Sequence, residues 1–235
     1  MRGCDSRSGL NMLPYHSRKH TLNEEFFLSW SPKMAYVLGF WYADGNISHI
    51  RSYRIRFYSN DQDIIEDIKT AVGSSSPIYH KSRGGIPEKC SSLNLHSKLM
   101  YNSLIKLGGM ERKSIYIKFP PVPITYLRDF IRGYFDGDGS VHQVQYEATK
   151  NGKIYTEIRS GFTCGSKSFL TSLRNTLVRE LKVSKRVISQ YGPHQFKLCF
   201  GQNDTGKLLK YMYYLGNPIS LGRKEEYLDF FSSER

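Results

Sequence analysis

The chain has 235 residues, an apolar fraction of 39%, and a formal net charge of +13 from 34 Lys and Arg against 21 Asp and Glu. The length allows one large domain or two fused small ones, and the composition is that of a folded globular protein. The charge favours a polyanionic partner. Because the sequence has no long apolar run and no signal peptide pattern, we expect a soluble, intracellular protein without a membrane span. Because it has no CxxC pair, we expect neither a zinc site nor a disulfide framework.

The first half of the chain predicts a motif helix followed by strands and further helices. Residues 35–45 read AYVLGFWYADG, an apolar helical run that ends in Asp-Gly. In the alternating segment 52–60, Ile55 and Phe57 point to one face of a strand, and the polar residues between them point to the other. Further strands are predicted around 78–81 and 92–96, and helices at 61–72 and 97–108.

The second half repeats this order. Residues 129–139 read DFIRGYFDGDG and restate the first motif. Strands are predicted at 141–148, 154–163, 186–191 and 195–200, and helices at 167–181 and 204–215. The segment FPPVP (119–123) breaks helix and strand alike and predicts a linker. We therefore predict an α+β protein of two pseudo-symmetric αββαββα modules, with an N-terminal arm at 1–30, a first module at 31–117, a linker at 118–124 and a second module at 125–235.

Each motif helix contains a glycine and ends in an aspartate. Glycine costs about 1 kcal/mol in a helix interior relative to alanine, so Gly39 and Gly133 predict that the two helices approach closely. Asp44 and Asp138 lie at helix C-termini, where the helix dipole disfavours a negative charge. Asp-Gly is also an ordinary turn pair, but its recurrence at equivalent positions favours a functional interpretation. Two carboxylates side by side predict a site for Mg²⁺, which prefers hard oxygen ligands.

The two motifs resemble those of the LAGLIDADG homing endonucleases. Val37–Gly45 matches the first motif and Ile131–Gly139 the second. Tyr42 departs from the pattern, at a position where an acid is common but which does not bind metal. The resemblance implies motif helices at the central interface and two antiparallel sheets that form a saddle over double-stranded DNA. It implies a monomer that acts on a long, nearly asymmetric target, and the absence of an intein splicing block suggests a free-standing, intron-encoded enzyme.

The resemblance also implies an active site. Asp44 and Asp138 would bind Mg²⁺ beside the scissile phosphates, with the carbonyls of Ala43 and Gly137 as further ligands, and the double-strand break would leave short 3′ overhangs. Lys113 and Lys224 follow the last sheet strand of each module, where the family often has a basic residue near the metal-bound water.

Polar residues on the predicted strands are candidates for DNA contacts, because a two-stranded ribbon fits the major groove and presents side chains to base edges. The candidates are Arg54, Arg56, Tyr58, His80, Arg83, Asn94, His96, His142, Gln143, Gln145, Tyr155, Arg159, Gln190, Gln195 and Lys197.

The sequence is also compatible with other functions. An RNA maturase that helps its host intron fold, or a DNA-binding regulator without cleavage activity, could have the same fold. Retention of both aspartates argues against the regulator, because a protein that only binds a polyanion does not need an anionic pocket. A membrane-surface protein is disfavoured, since no basic amphipathic helix is present. The sequence does not indicate the host compartment.

Overall fold

Two helices, α1 (Pro32–Asp44) and α5 (Leu127–Asp138), pack against each other at the centre of the computed structural model. The structure describes residues 19–50, 52–83, 86–147 and 152–232, without the side chains of 81–89. Helix α1 begins after Ser31, whose hydroxyl accepts a hydrogen bond from the Met34 amide, and Pro32 occupies the first turn. The predicted motif helices and their central position are confirmed.

The first half continues from α1 in the predicted order. Its elements are β1 (Gly45–Ser48), β2 (Arg54–Ser59), α2 (Gln62–Ala71), β3 (Ile78–Arg83), β4 (Ile86–His96), α3 (Lys98–Lys106) and a short helix α4 (Lys113–Tyr116). The strands form one antiparallel sheet in the order β1-β2-β4-β3.

The second half repeats this architecture after a 3-10 helix at Ile124–Tyr126. From α5 it continues with β5 (Gly139–Glu147), β6 (Ile154–Cys164), α6 (Lys167–Leu181), β7 (Ile188–Gly192), β8 (Gln195–Phe200), α7 (Gln202–Met212), α8 (Gly222–Glu225) and a 3-10 helix (Glu226–Phe231). The sheet order, β5-β6-β8-β7, is the counterpart of the first. The predicted α+β class with two repeated modules is confirmed.

The core lies between the helices and one face of each sheet. Ile55 and Phe57 of β2 are fully buried, as their alternation predicted, and Phe162 of β6 is their counterpart in the second sheet. Apolar side chains from α1 and α5, including Tyr36 and Phe130, are buried between the modules. A hydrophobic core therefore runs through both modules and fixes the two motif helices within it.

Part of the predicted N-terminal arm packs on the first module. The Asn23 amide donates to the Val72 carbonyl at 3.0 Å, the Thr21 amide donates to Ser75 Oγ at 2.8 Å, and Phe27 is buried. Residues 1–18 of the arm lie outside the described residues.

In the part of the chain that the structure describes, no helix has the length and apolar character needed to cross a membrane.

Candidate active site and nucleic-acid interface

Helices α1 and α5 touch through their backbones at the two motif glycines. A Cβ atom on Gly39 would lie 2.0 Å from the Phe130 carbonyl oxygen, and one on Gly133 would lie 2.0 Å from the Tyr36 carbonyl oxygen. No side chain fits at either position, because both obstacles are backbone atoms. The close approach brings the C-terminal ends of the two helices to the same level.

The two motif aspartates are the last residues of these helices. Asp44 ends α1 and Asp138 ends α5, and both side chains are partly buried. Between them lies Gly137, where a Cβ atom would come 2.4 Å from the Ala43 Cβ atom and 3.2 Å from Asp44 Oδ2. The absence of a side chain at Gly137 therefore leaves room beside the Asp44 carboxylate.

Both carboxyl groups are harder to ionise than ordinary aspartates. Burial raises the pKa of Asp138 to about 6, with a further contribution from the nearby Asp44 charge. Burial also raises the pKa of Asp44. In both cases Lys113 and Lys224 act in the opposite direction and lower the pKa, but they do not offset the burial. The protein alone thus leaves negative charge at this site incompletely compensated.

Lys113 and Lys224 hold the ends of the two motif helices. Lys113 Nζ donates to the carbonyl oxygens of Tyr42 and Ala43 at 2.6 and 2.7 Å. Lys224 Nζ donates to three carbonyl oxygens, those of Phe135, Asp136 and Gly139. Burial lowers the pKa of each lysine to about 8, while the aspartates raise it. The contacts to Tyr42, Ala43 and Asp136 satisfy carbonyl groups that a helix C-terminus would otherwise leave unpaired.

Each lysine is carried by a short helix that bridges the two modules. At the β6–α6 corner of the second module, a Cβ atom on Gly165 would lie 2.2 Å from the Ser114 carbonyl oxygen of α4. At the β2–α2 corner of the first module, Asp61 accepts two hydrogen bonds from Arg223 of α8, at 2.8 and 3.1 Å. Both modules therefore contribute to the position of each lysine.

The strand register divides each sheet into a helix-packed face and an open face. Paired residues of neighbouring strands share a face, so Ile55 and its partner Leu95 lie on the helix-packed face, and Arg56 and its partner Asn94 lie on the other. The open faces contain most of the predicted DNA contacts, namely Arg54, Arg56, Tyr58, Asn94, His96, His142, Tyr155, Arg159, Gln195 and Lys197.

Four predicted DNA contacts lie on the other face of their sheet, so their placement was wrong. Gln143 is paired with Ile158, which is buried against the helices, and Gln190 is paired with Phe196. Gln145 follows Gln143 on the same face. His80 is paired with Ser91, and a hydrogen bond of 3.2 Å joins His80 Nδ1 and Ser91 Oγ. The predictions ignored the alternation of neighbouring residues, and the side chain of Arg83 lies outside the described residues.

Other side chains of the open faces were not predicted from the sequence. The register places Asn46, Ser48, Tyr79 and Ser92 on the first open face and Ser140, Tyr146, Glu157, Thr163 and Ser189 on the second. Strict alternation from Arg159 along the predicted strand would have identified Glu157. The residues of β1 could not be assigned, because this strand was not located in the sequence.

Comparison with known proteins finds sequence similarity to part of this chain. Residues 31–101 match the model of the LAGLIDADG-like domain family. The uncharacterised protein MJ0398 of Methanocaldococcus jannaschii is 28% identical over 120 residues, which are 48% of this chain and 41% of that protein. The chain thus matches less than half the length of this curated relative.

Solved structures of meganucleases resemble this chain over most of its length. I-SmaMI bound to uncleaveable DNA superimposes with a TM-score of 0.59 at 14% identity, over 86% of this chain and 89% of that one. I-AabMI bound to uncleaved DNA gives a TM-score of 0.59 at 11% identity, over 87% and 90% of the two chains. I-SmaMI bound to an uncleaved target in the presence of calcium ions gives 0.56 at 14% identity, over 87% and 90%. The chain has the LAGLIDADG homing endonuclease fold.

One motif residue of this LAGLIDADG fold has a structural role that the sequence analysis missed. The buried carboxylate of Asp136 accepts hydrogen bonds from Tyr36 of α1, Tyr213 at the end of α7 and the Leu221 amide before α8, at 2.5–3.0 Å. In the first motif Tyr42 occupies the equivalent position and donates to the Leu107 carbonyl at 2.6 Å. Asp136 therefore connects both motif helices to the segment that carries the second lysine.

The ends of the two LAGLIDADG helices fit a divalent cation. Two carboxylates with raised pKa values offer hard oxygen donors and uncompensated charge. Within the described ranges, no three His, Cys, Asp or Glu side chains cluster closely enough to form a complete metal site. A cation held between Asp44 and Asp138 would thus keep coordination positions for oxygen atoms from water or a substrate phosphate.

Proposed function

We propose that this protein is a site-specific DNA endonuclease that makes a metal-dependent double-strand break. The observation that carries this proposal is the pair formed by Asp44 and Asp138, at the ends of two helices in backbone contact. Two acids at one place supply one carboxylate for each DNA strand. The DNA-bound state of I-SmaMI and I-AabMI, which share the fold, supports DNA as the substrate.

The open faces of the two sheets are the proposed DNA-binding surface, a saddle that follows the major groove. They present Arg54, Arg56, Arg159 and Lys197 in a chain of net charge +13, which suits contact with phosphates and base edges. The two faces carry different side chains, and β5 and β6 are longer than β1 and β2. We therefore propose that the two halves of the target differ in sequence, so that the target is long and nearly asymmetric.

We propose that Asp44 and Asp138 hold Mg²⁺. Bound there, the metal would supply charge stabilisation at the scissile phosphate and a more acidic water. The two backbone carbonyls predicted as further ligands differ: that of Ala43 accepts a hydrogen bond from Lys113, whereas that of Gly137 is not among the acceptors of Lys224. Gly137 is therefore the better candidate of the two. The short 3′ overhangs are part of the same proposal.

For the two lysines we propose a positioning role, with a difference between them. A lysine has three N–H donors, and Lys224 uses them on three carbonyl oxygens. It has none left for a catalytic water, so it acts by holding α5 and by lowering the pKa of the aspartates. Among the described residues, Lys113 donates to two carbonyl oxygens, which leaves one N–H without an acceptor there. Of the two, only Lys113 keeps a donor for the predicted contact with a water molecule.

Both aspartates come from one chain, so we propose that a monomer is the active form. We further propose that the enzyme is encoded within an intron and acts on intracellular DNA.

The test is a cleavage selection. The full chain is incubated with Mg²⁺ and a plasmid library that carries randomised sequences and candidate intron-insertion sequences, and the cut ends are sequenced. We expect double-strand cuts at one long consensus, with short 3′ overhangs, and no cuts in EDTA. DNA binding without metal-dependent cuts at any of these sequences would contradict the nuclease proposal and favour a binding protein on the same fold.

A further inference from the structure

Arg159 on the open face of the second sheet is held in one orientation by its neighbours. Its Nε and Nη2 atoms both donate to Glu157 Oε2, at 3.0 and 2.9 Å. The other oxygen of Glu157 accepts a hydrogen bond from the Tyr146 hydroxyl at 2.9 Å. The ring of Tyr146 in turn stacks on Tyr155, with centroids 5.8 Å apart and an interplanar angle of 21°. We call these four residues the Arg159 cluster.

The Glu157 contact leaves one edge of the guanidinium available. A guanidinium group presents its donors along two edges, and Glu157 takes the edge formed by Nε and Nη2. The described part of the chain offers no acceptor to Nη1, and 47% of the Arg159 side chain is exposed. The edge formed by Nη1 and Nη2 therefore points two donors away from the carboxylate. Such a pair matches the O6 and N7 acceptors of guanine in the major groove.

Arg159 also lies where a base, rather than a phosphate, is the natural partner. Strand β6 is an inner strand of its sheet, flanked by β5 and β8. When a sheet lies in the major groove, its edge strands are nearest to the two phosphate backbones and its inner strands are nearest to the base edges. His142, the partner of Arg159 on β5, lies on the same open face.

The first module lacks this support at the equivalent position. The residue equivalent to Arg159 is Arg54 of β2. Arg54 comes directly before the buried Ile55 and Phe57, and Arg159 comes directly before their counterparts Ser160 and Phe162. Arg54 is paired with Ser48, and Arg159 is paired with His142. Two residues before Arg54 the chain has Ser52 rather than an acid. The Nε atom of Arg54 is buried without a hydrogen-bond partner among the described residues.

From this geometry we infer that Arg159, oriented by Glu157 and Tyr146, reads a guanine at one position in the half of the DNA target that the second module contacts. This inference rests on the proposed function, because it requires that the open faces bind DNA. Glu157 serves as a positioning residue for Arg159. The side-chain hydrogen bonds from Arg159 and Tyr146 lower the pKa of Glu157, so this carboxylate remains ionised at neutral pH.

The test compares the sequence preference of variants. The full chain is incubated in EDTA, which prevents cleavage, with random-sequence DNA, and the bound sequences are determined. For the wild-type protein we expect roughly a 10- to 100-fold preference for guanine at one position. In Arg159→Gln we expect this preference to disappear at that position alone, and in Arg159→Lys, whose ammonium can still donate to guanine, we expect it to weaken there. The lysine variant keeps the charge but not the two-donor edge.

Glu157→Gln separates orientation from charge. The substitution removes a negative charge from a DNA-binding surface, so overall affinity should rise slightly, while the guanine preference should fall. Arg179→Gln is the matched control, because Arg179 pairs with Glu180 on α6, away from the open face, and we expect it to leave the selected sequence unchanged.

Two contrary results are distinguishable. In the first, both Arg159 variants weaken binding equally on all DNA sequences or leave every base preference unchanged. The wild-type consensus then stands, and only the inference about Arg159 is wrong. If the wild-type protein selects no sequence, the proposed site-specific function is wrong and the inference fails with it.

Discussion

At the scale of single residues, the proposed active site contains charges that the fold does not fully compensate. Burial raises the pKa of Asp138 from the ordinary aspartate range to about 6. Above that pH the folded protein must keep a carboxylate ionised in a place that disfavours it. Because a divalent cation would remove this cost, ion binding and stability are linked at this position.

Replacing Asp138 with asparagine should therefore stabilise the metal-free protein. In the native state this carboxyl binds a proton between about pH 4 and 6, whereas the unfolded chain does not, so the wild-type stability falls as the pH rises through this window. We expect Asp138→Asn to be more stable than wild type by about 1–3 kcal/mol at pH 7.5 in EDTA, with the difference vanishing near pH 4. Urea denaturation at the two pH values measures this difference in the free energy of unfolding. A variant less stable than wild type at pH 7.5 would contradict a raised pKa of Asp138.

The lysine contacts predict the opposite effect on stability. Lys113→Met leaves the carbonyl oxygens of Tyr42 and Ala43 without this donor, and each buried acceptor left unpaired costs about 1–3 kcal/mol. Lys118, which is exposed, provides the control, since Lys118→Met should change the free energy of unfolding by less than about 0.5 kcal/mol. Equal effects of the two substitutions in urea denaturation would show that Lys113 does not hold the helix end.

The sequence could identify residues that repeat but not those whose partners are distant. Asp44 and Asp138 were recognisable because the motif occurs twice. The role of Asp136 was not, because its hydrogen-bond donors come from Tyr36, Tyr213 and the Leu221 amide, which only the fold brings together. Adjacent residues such as His142 and Gln143 were both assigned to the DNA-binding face, although neighbouring strand residues point to opposite faces.

At the scale of elements, the interface between α1 and α5 depends on glycine. At Gly39 and Gly133 the space for a Cβ atom is already occupied by the backbone of the other helix. An added methyl group would force the helices apart and shift both aspartates. The same contact thus stabilises the fold and sets the geometry of the site.

Gly39→Ala and Gly133→Ala should each destabilise the protein by about 3 kcal/mol or more, beyond the usual range for overpacking, because backbone cannot move aside as a side chain can. Gly222→Ala is the matched control: it is also a helix residue, but nothing lies within 4 Å of its added Cβ atom. This control should be neutral or stabilising by up to about 1 kcal/mol. Thermal unfolding of the three variants provides the comparison, and a tolerated alanine at Gly39 would rule out the backbone contact.

Elements with strong periodicity were predictable, and short ones were not. The apolar pattern predicted a helix at 167–181, and α6 spans Lys167–Leu181. Strand β1 covers only Gly45–Ser48 and was not located, because four residues carry too little alternation to be recognised. The start of β4 at Ile86 was also missed, because Gly84, Gly85 and Pro87 favour a turn over a strand in the sequence.

At the scale of the whole molecule, the net charge of +13 and the two open faces predict a strongly electrostatic association with DNA. If the saddle neutralises about 6–10 phosphates, affinity should fall about 10³- to 10⁵-fold between roughly 50 and 200 mM salt. Binding titrations at several salt concentrations, with a target and an unrelated duplex, measure the slope. A flat dependence would be incompatible with a DNA-binding surface formed by both sheets.

We propose that the site formed by Asp44 and Asp138 cuts both strands of one bound DNA molecule. The most direct measurement is strand-resolved cleavage of a doubly end-labelled target by wild type, Asp44→Asn and Asp138→Asn in Mg²⁺, with binding measured in parallel in EDTA. We predict that each variant binds DNA about as tightly as wild type but fails to cut at least one strand. Double-strand cleavage by either variant at the wild-type rate would contradict the assignment of these aspartates as the metal-binding pair.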